Sequence, residues 1–167
     1  TVDPHLHRVT TLKQAIPVSN AIACSSASLV CEHIKQHIAD SLLVGPDSES
    51  EQWLKPIASI TGQDYIVASK KRADDRTLKI TLPDYPYQNK DAVIIDDIAS
   101  TGRTLAAAAI QLQQHGIRDV SVIVTHALFN GDAEQHLHQH GVSKIWSTDS
   151  IPHHSNAIDL APVLAAA

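Results

Sequence analysis

Residues 91–105 constrain the fold of this chain more than any other stretch. Four apolar residues, Ala92-Val93-Ile94-Ile95, open it, and such a run is typical of a strand buried on both faces of a parallel sheet. Asp96 and Asp97 follow, and after a short loop comes Leu105-Ala106-Ala107-Ala108-Ala109-Ile110, a run of strong helix formers. The sequence therefore predicts a buried strand, an acidic pair, a loop and a helix in direct succession.

The loop between this strand and this helix has the composition of a phosphate site. A helix N-terminus offers unpaired N–H groups and the positive end of the helix dipole, which together attract an anion. Glycine lets the backbone approach closely, small hydroxyl side chains add donors, and arginine can grip a phosphate with two parallel bonds. The candidate phosphate ligands are Ser100, Thr101, Gly102, Arg103 and Thr104.

The acidic pair needs a different partner, because carboxylates repel phosphate. Two neighbouring sugar hydroxyls are suitable, since one carboxylate accepts hydrogen bonds from both. We therefore expect Asp96 and Asp97 to bind a sugar diol, and the whole pattern predicts a phosphorylated sugar as ligand. The alternative is that the pair only caps the loop.

Composition narrows the class of protein. A length of 167 residues suits one domain with a hydrophobic core. The formal net charge of −5 argues against a protein that coats nucleic acid. No apolar run approaches a membrane span and no signal peptide opens the sequence, so we expect no membrane association. Cys24 and Cys31 lie about two helical turns apart, too far to bridge, which fits a reducing cytoplasm.

The order of segments predicts an α/β fold. Strand-like and helix-like stretches alternate, which implies a doubly wound, mostly parallel sheet with helices on both faces. Predicted strands cover residues 41–45, 65–68, 78–82, 92–95, 120–124 and 144–147, and predicted helices cover residues 25–39, 49–59, 105–115 and 132–140. Residues 69–78 are predicted as a charged loop. Without any repeat or linker, residues 1–167 form one predicted domain.

Several polar residues follow predicted strands, so a parallel sheet would bring them to one edge. These residues are Asp47, Lys70 with Arg72, Asp96 with Asp97, and His126. Open sheets of this kind bind ligands at the carboxyl edge of their strands. We therefore expect a single ligand site there.

The motifs, taken in order, resemble a known family. The central stretch resembles the phosphoribosyl-binding loop of the type I phosphoribosyltransferase fold. The whole chain resembles the C-terminal half of ribose-phosphate diphosphokinase, also called phosphoribosyl pyrophosphate synthetase. Besides the central stretch, the motifs are Val2-Asp3-Pro4-His5, Pro46-Asp47, Lys70-Lys71-Arg72, the segment 125–131 and Thr148-Asp149-Ser150-Ile151-Pro152.

The resemblance implies an activity and its cofactors. The 1-hydroxyl of ribose 5-phosphate would attack the β-phosphorus of ATP, with Mg²⁺ bound to the triphosphate. Lys70 and Arg72 would stabilise the transferring group, while His5 and Asp47 would lie at the metal. The resemblance also implies a cytoplasmic homo-oligomer. Since no Met is present and Thr1 opens an apparent strand, we expect the chain to start inside a longer two-domain protein.

One departure from the family opposes tight triphosphate binding. After Pro46-Asp47 the family usually has two glycines, whereas this chain has Ser48-Glu49-Ser50. Glu49 adds negative charge and side-chain bulk where an anion should approach. Two alternatives therefore stay open: a type I phosphoribosyltransferase, and a non-catalytic regulatory subunit associated with the synthetase.

Two other groups of residues have competing interpretations. On composition alone, Lys70-Lys71-Arg72 is a solvated charged loop. A set of histidines suggests zinc, but no cysteine or third convergent ligand is evident, and a solvated helix is the preferred interpretation. These histidines are His136, His138, His140, His153 and His154.

Overall fold

A computed structural model describes the chain apart from residues 7, 8, 10 and 73–77 and the side chains of residues 71, 72, 78 and 79. The strands are β1 (Leu42–Gly45), β2 (Tyr65–Val67), β3 (Ser69–Arg72), β4 (Leu78–Thr81), β5 (Asp91–Ala99), β6 (Asp119–Ala127), β7 (Val142–Thr148) and β8 (Asn156–Ile158). The helices are α1 (Leu12–Ala15), α2 (Ala27–His37), α3 (Glu51–Thr61), α4 (Arg103–Gln114), α5 (Ala133–Gln139) and α6 (Ala161–Ala165). A 3₁₀ turn covers Ser48–Ser50.

Six strands form one parallel sheet in the order β2-β1-β5-β6-β7-β8. The chain moves outward from β1 to β2, then returns to place β5 on the other side of β1. The direction of winding therefore reverses between β1 and β5. A reversal of this kind opens a crevice at the carboxyl edge of the sheet, where ligands bind. The predicted doubly wound α/β fold is confirmed.

Strand β5 is buried on both faces, as its apolar run predicted. Val93 and Ile95 pack in a core cluster with residues of α2 and α3, whereas Ala92 and Ile94 pack in a second cluster with residues of α4. Full burial of a side chain such as Ile94 contributes about 1.5–3 kcal/mol to stability. The two cores therefore fix the strand that carries the acidic pair.

Strand β5 is longer than predicted. It continues through Asp96 and Asp97 as far as Ala99, because its partner β6 also continues, with Ile98 opposite His126. Asp96 and Asp97 therefore lie inside strand β5, and the pairing of β5 with β6 fixes their backbone. The sequence favoured an earlier end because aspartate is poorly represented in strands.

The predicted charged loop was wrong over its first residues. Ser69–Arg72 forms β3, which pairs antiparallel with β4 and places Lys70 opposite Ile80. Ile80 is buried in the same core as α4 residues, so the apolar side of β4 anchors the hairpin. The charged composition of β3 favoured a loop, but these residues form a strand because they pair with β4.

The short elements α1, β8 and α6 were not predicted. Each has three to five residues, too few to establish a periodicity. Among the described helices, none combines the length and the apolar character that a membrane crossing requires.

Candidate active site

A cleft of about 840 Å³ opens at the carboxyl edge of the sheet, where β1 and β5 meet. Ten predicted site residues line it: His5, Asp47, Lys70, Asp96, Asp97, Ser100, Thr101, Gly102, Arg103 and Thr104. His126, which was expected at the same edge, is not among the lining residues. Arg72 lies on β3, but its side chain is outside the described residues. The structure thus brings together residues from four separate parts of the sequence.

The loop at residues 100–104 connects β5 to α4 and presents the start of a 12-residue helix. Gly102 precedes the helix in the left-handed conformation, with φ of 68°, and no side chain caps the N-terminus of α4. Asn130 holds the loop from below: its backbone N–H donates to Ser100 O at 2.8 Å, and Nδ2 donates to Ser100 Oγ at 2.9 Å. The loop is therefore preorganised to receive an anion.

The space around Gly102 is tight for a side chain. A Cβ at this position would lie 3.2 Å from Leu137 Cγ and 3.3 Å from the carbonyl oxygen of Ala133. Both residues belong to α5, so α5 supports the phosphate loop from behind. Glycine is favoured here both by its backbone conformation and by this contact.

The two aspartates differ in their surroundings. Asp97 is only 2% exposed, and its Oδ2 lies 2.5 Å from His5 Nδ1. Asp96 is more open to the cleft, and its Oδ1 accepts the N–H of Asp97 at 3.1 Å. Desolvation raises the pKa of Asp96 well above its usual range, and the nearby carboxylates of Asp97 and Asp47 raise it further. The cleft therefore favours a bound cation or a hydroxyl donor.

His5 reaches the cleft because Asp3 anchors the first residues of the chain. The buried carboxylate of Asp3 accepts hydrogen bonds from Ser26 N–H at 3.1 Å, Ser26 Oγ at 2.5 Å and Thr125 Oγ1 at 3.0 Å. Asp3 itself adopts a positive φ of 36°, which turns the chain toward the site. A buried carboxylate with three donors is well satisfied.

A second polar group, on β6 and the segment after β7, continues this anchor. His126 Nδ1 lies 2.9 Å from Ser150 Oγ, and its Nε2 lies 3.3 Å from the carbonyl oxygen of Asp3. Ser150 Oγ and Thr148 Oγ1 both donate to the carbonyl oxygen of Thr125, at 2.7 and 2.6 Å. The predicted strand-end residue His126 thus contacts the segment that carries His5.

Asp47 and Glu49 form the opposite wall of the cleft, after β1. Asp47 Oδ1 accepts the N–H of Glu49 at 3.0 Å, and Asp47 Oδ2 lies 3.4 Å from Lys70 Nζ. Glu49 Oε2 lies 3.8 Å from His5 Nε2. The residue that departs from the family pattern therefore stands beside one predicted metal ligand. The pair of Lys70 and Asp47 is partly exposed and contributes little to stability.

The donor set of the cleft fits Mg²⁺. This ion prefers carboxylate oxygens and water, keeps part of its hydration and uses few protein ligands. His5, Asp47 and Asp96 all line the cleft. Within the described part of the chain, the one cluster of three convergent metal-ligand atoms lies elsewhere, at Glu134, His153 and His154. Binding through water is therefore the arrangement that the cleft residues suit.

Sequence reasoning missed the roles of Asp3, Ser26 and Thr125. Asp3 belonged to the motif Val2-Asp3-Pro4-His5, but nothing in the sequence connects it to residues 23 and 122 positions away. Asn130 was likewise part of a motif without an assigned role. Only the three-dimensional arrangement shows that these residues position His5 and the phosphate loop.

Comparison with known proteins agrees with this geometry. Residues 86–164 match the profile of the phosphoribosyl synthetase-associated domain. The ribose-phosphate pyrophosphokinase of Methanopyrus kandleri is 29% identical over 170 residues, covering 100% of this chain and 57% of that protein. The enzyme of the same name from Thermoplasma acidophilum is 34% identical over 116 residues, covering 70% of this chain and 40% of that protein. The chain spans about half the length of these curated relatives.

Solved structures share the fold. Phosphoribosylpyrophosphate synthetase from Mycobacterium smegmatis aligns with a TM-score of 0.71 and 24% identity, covering 86% of this chain and 49% of that one. Orotate phosphoribosyltransferase from Aeropyrum pernix aligns with a TM-score of 0.59 and 22% identity, covering 75% of this chain and 71% of that one. By sequence the chain is similar to part of the ribose-phosphate pyrophosphokinases, also called ribose-phosphate diphosphokinases, and its fold is of the phosphoribosyltransferase type.

Proposed function

We propose that this chain carries the pentose phosphate site of a ribose-phosphate diphosphokinase. The enzyme would transfer the β,γ-pyrophosphoryl group of ATP to the 1-hydroxyl of ribose 5-phosphate, giving phosphoribosyl pyrophosphate and AMP. One observation carries the proposal: a single cleft joins the loop at residues 100–104, the acidic pair Asp96-Asp97 and the cation of Lys70. Phosphate, diol and transferring group each have a matching partner there.

The substrate phosphate would lie against the loop and the N-terminus of α4. The N–H groups of the first helical turn and the dipole of a 12-residue helix favour an anion at this point. Arg103 is exposed at the same end and adds a formal positive charge. The ribose diol would then lie toward Asp96, the more accessible of the two aspartates.

The chemistry of pyrophosphoryl transfer depends on positioning and on neutralisation of charge. Lys70 lies at the cleft on β3, where its partner Asp47 holds it at 3.4 Å. A triphosphate would compete with Asp47 for the ammonium group of Lys70. The positive charge of Lys70 would then stabilise the negative charge that develops in the transition state. Arg72 stays a proposed second cation of the same strand.

Magnesium would neutralise charge on the triphosphate oxygens when it is bound. We propose that His5 and Asp47 hold it, in part through water. The pKa of Asp96, raised by desolvation and by Asp97 and Asp47, supports this proposal, since excess negative charge in the cleft attracts a cation. The hydrogen bond between His5 Nδ1 and Asp97 Oδ2 keeps the His5 ring in one orientation.

A regulatory subunit without catalysis is the second candidate. Glu49 favours it, because its carboxylate stands 3.8 Å from His5 and would repel a triphosphate. The matched profile also describes a synthetase-associated domain. Such a subunit would keep the fold and the sugar phosphate site while contributing no turnover.

One assay separates these possibilities. The full gene product is incubated with ATP, Mg²⁺ and ribose 5-phosphate, and AMP and phosphoribosyl pyrophosphate are measured. Formation of both products in equal amounts supports the diphosphokinase. No product, together with stimulation of a separate synthetase, indicates the regulatory subunit, whereas release of pyrophosphate from phosphoribosyl pyrophosphate and a base indicates a phosphoribosyltransferase. Light scattering tests the proposed homo-oligomer, and cell fractionation tests the proposed cytoplasmic location.

A further inference from the structure

A second group of chemically active side chains lies outside the cleft. Glu134 stands near the start of α5, and His153 and His154 lie in the segment between β7 and β8. His153 Nε2 is 3.1 Å from Glu134 Oε1, and His154 Nε2 is 2.7 Å from Glu134 Oε2. We call these three residues the His-Glu cluster.

We propose that the His-Glu cluster is a binding site for a transition-metal ion of the zinc class. One nitrogen from each histidine and one oxygen from the glutamate all lie within 4.8 Å of one another. Donor atoms bound to one tetrahedral zinc ion lie roughly 3.3 Å apart, at bond lengths of about 2.0–2.1 Å. Small side-chain adjustments therefore suffice to place all three donors around one ion.

The chemistry of the donors selects the metal. Imidazole nitrogen suits zinc, nickel and copper, whereas magnesium prefers oxygen ligands. Two histidines with one glutamate form the three-ligand set found at open zinc sites, where water takes the fourth position. The side chain of His154 is 75% exposed, while those of His153 and Glu134 are 16% and 25% exposed. The cluster is thus open on one side and supported on the other.

His153 has the supporting contacts that a metal-binding imidazole uses. Its Nδ1 lies 2.8 Å from Ser155 Oγ, and the ring packs at 5.1 Å from Phe129. Ser155 is itself buried, with its Oγ 2.7 Å from Ser147 Oγ. In the metal-free chain Nδ1 also accepts the N–H of Ser155 at 3.2 Å. A metal on the Nε2 lone pair would require the proton on Nδ1, which would then donate to Ser155 Oγ in place of accepting that N–H.

The location gives the site a structural consequence. Glu134 belongs to α5, the helix that packs behind Gly102 in the phosphate loop. His153 belongs to a segment held by Asn156, which accepts the N–H of His153 at 2.9 Å. A bound ion would therefore fasten this segment to α5. The sequence-based preference for a solvated helix is wrong for His153 and His154, because neither lies on a helix.

Calorimetric titration of the 167-residue chain with Zn²⁺ tests the proposal, in buffer that contains millimolar Mg²⁺ to saturate oxygen-only sites. We expect one Zn²⁺ per chain, with at least tenfold weaker binding in His154→Gln, His153→Gln and Glu134→Gln. The matched control is His136→Gln with His140→Gln, a pair at the C-terminal end of α5 whose rings are 4.3 Å apart. That double variant should keep its affinity within twofold.

The variants also guard against loss of folding. His154 is mostly exposed, so its substitution should leave the circular dichroism spectrum and the metal-free melting temperature unchanged. Co²⁺ titration adds a second readout, since tetrahedral coordination gives visible absorption that His154→Gln should abolish. The proposal is overturned if the wild-type chain binds no stoichiometric Zn²⁺ or if His154→Gln binds it equally well. It is also overturned if only the His136/His140 variant loses binding. None of these results depends on diphosphokinase activity.

Discussion

His5 and Asp97 lie 92 positions apart in the sequence, yet His5 Nδ1 is 2.5 Å from Asp97 Oδ2. Asp97 is buried, whereas the His5 side chain is 38% exposed toward the cleft. Asp97 therefore fixes the orientation of a ring that the chain delivers from its first residues. In this structure Asp97 positions His5, whereas Asp96 presents the more accessible carboxylate.

The first prediction concerns the pH dependence of stability at Asp96. Desolvation raises its pKa in the folded state well above the usual value of about 3.9, with further contributions from Asp97 and Asp47. Between these two pKa values the folded state binds more protons than the unfolded state, so stability falls as pH rises above about 4. Asp96→Asn removes this penalty.

We therefore expect the melting temperature of Asp96→Asn to exceed that of the wild type by an amount that grows as the pH rises above about 4. Thermal melts without divalent cations measure it. Asp40→Asn is the control, because Asp40 is exposed and does not line the cleft. A pH-independent difference for Asp96→Asn would contradict the account of its environment.

The second prediction concerns Asp3. Asp3→Ala would leave three donors without their acceptor: Ser26 N–H, Ser26 Oγ and Thr125 Oγ1. We expect a loss of about 2–4 kcal/mol in the free energy of unfolding, because unsatisfied buried polar groups are costly. Urea titration followed by circular dichroism measures the loss.

Asp159→Ala is the matched control for Asp3. Asp159 is exposed and accepts one backbone N–H, that of Ala161 at 2.8 Å. We expect a cost of at most about 1 kcal/mol there. Equal costs at the two aspartates would show that the buried network around Asp3 does not anchor the first residues of the chain.

The third prediction separates two requirements for glycine at position 102. Gly102 and Gly131 have similar positive φ angles of 68° and 64°. A Cβ at Gly102 would meet Leu137 and the carbonyl oxygen of Ala133, whereas a Cβ at Gly131 would meet nothing within 4 Å. Alanine at either position carries a conformational cost of roughly 1–2 kcal/mol, and only Gly102→Ala also displaces the phosphate loop from α5.

We expect Gly102→Ala to weaken binding of inorganic phosphate or ribose 5-phosphate at least tenfold, while Gly131→Ala changes it less than twofold. Calorimetric titration at a temperature where both variants are folded measures this. If Gly131→Ala weakened binding as much as Gly102→Ala, the packing of the loop against α5 would not control the site.

The fourth prediction concerns Lys70 in the full gene product. A cation that interacts mainly with negative charge developing in the transition state affects turnover more than it affects binding of the ground-state substrate. We expect Lys70→Ala to lower turnover by about two orders of magnitude or more, with little change in the affinity for ribose 5-phosphate. Steady-state kinetics of AMP formation measures both quantities.

Lys55→Ala is the control for Lys70. Lys55 pairs with Glu51 on α3 at 3.1 Å and takes no part in the cleft lining, so its loss should leave the kinetics unchanged. Wild-type turnover in Lys70→Ala would mean that the charge on β3 serves only the ion pair with Asp47.

The sequence predicted the features that depend on neighbouring residues. The apolar run of β5, the hydroxyl loop and the helix formers of α4 follow one another directly, so strand, phosphate loop and helix could be placed. The parallel order of strands then brought Asp47, Lys70 and the acidic pair to one edge. These inferences required only periodicity and the geometry of a wound sheet.

The features that depend on distant contacts could not be predicted. The hydrogen bond between His5 and Asp97, and the anchoring of Asp3 by Ser26 and Thr125, join separate segments of the chain. The strand β3 exists because Ile80 on its partner is buried, although its own composition suggested a loop. Tertiary packing decided each of these cases.

Calorimetric titration of this chain with ribose 5-phosphate and with unphosphorylated ribose tests whether the cleft recognises a pentose phosphate through the loop at residues 100–104 and the acidic pair. We expect one molecule of ribose 5-phosphate per chain, binding strengthened by Mg²⁺, and no measurable binding of ribose. Absence of ribose 5-phosphate binding, or equal binding of both sugars, would contradict this expectation.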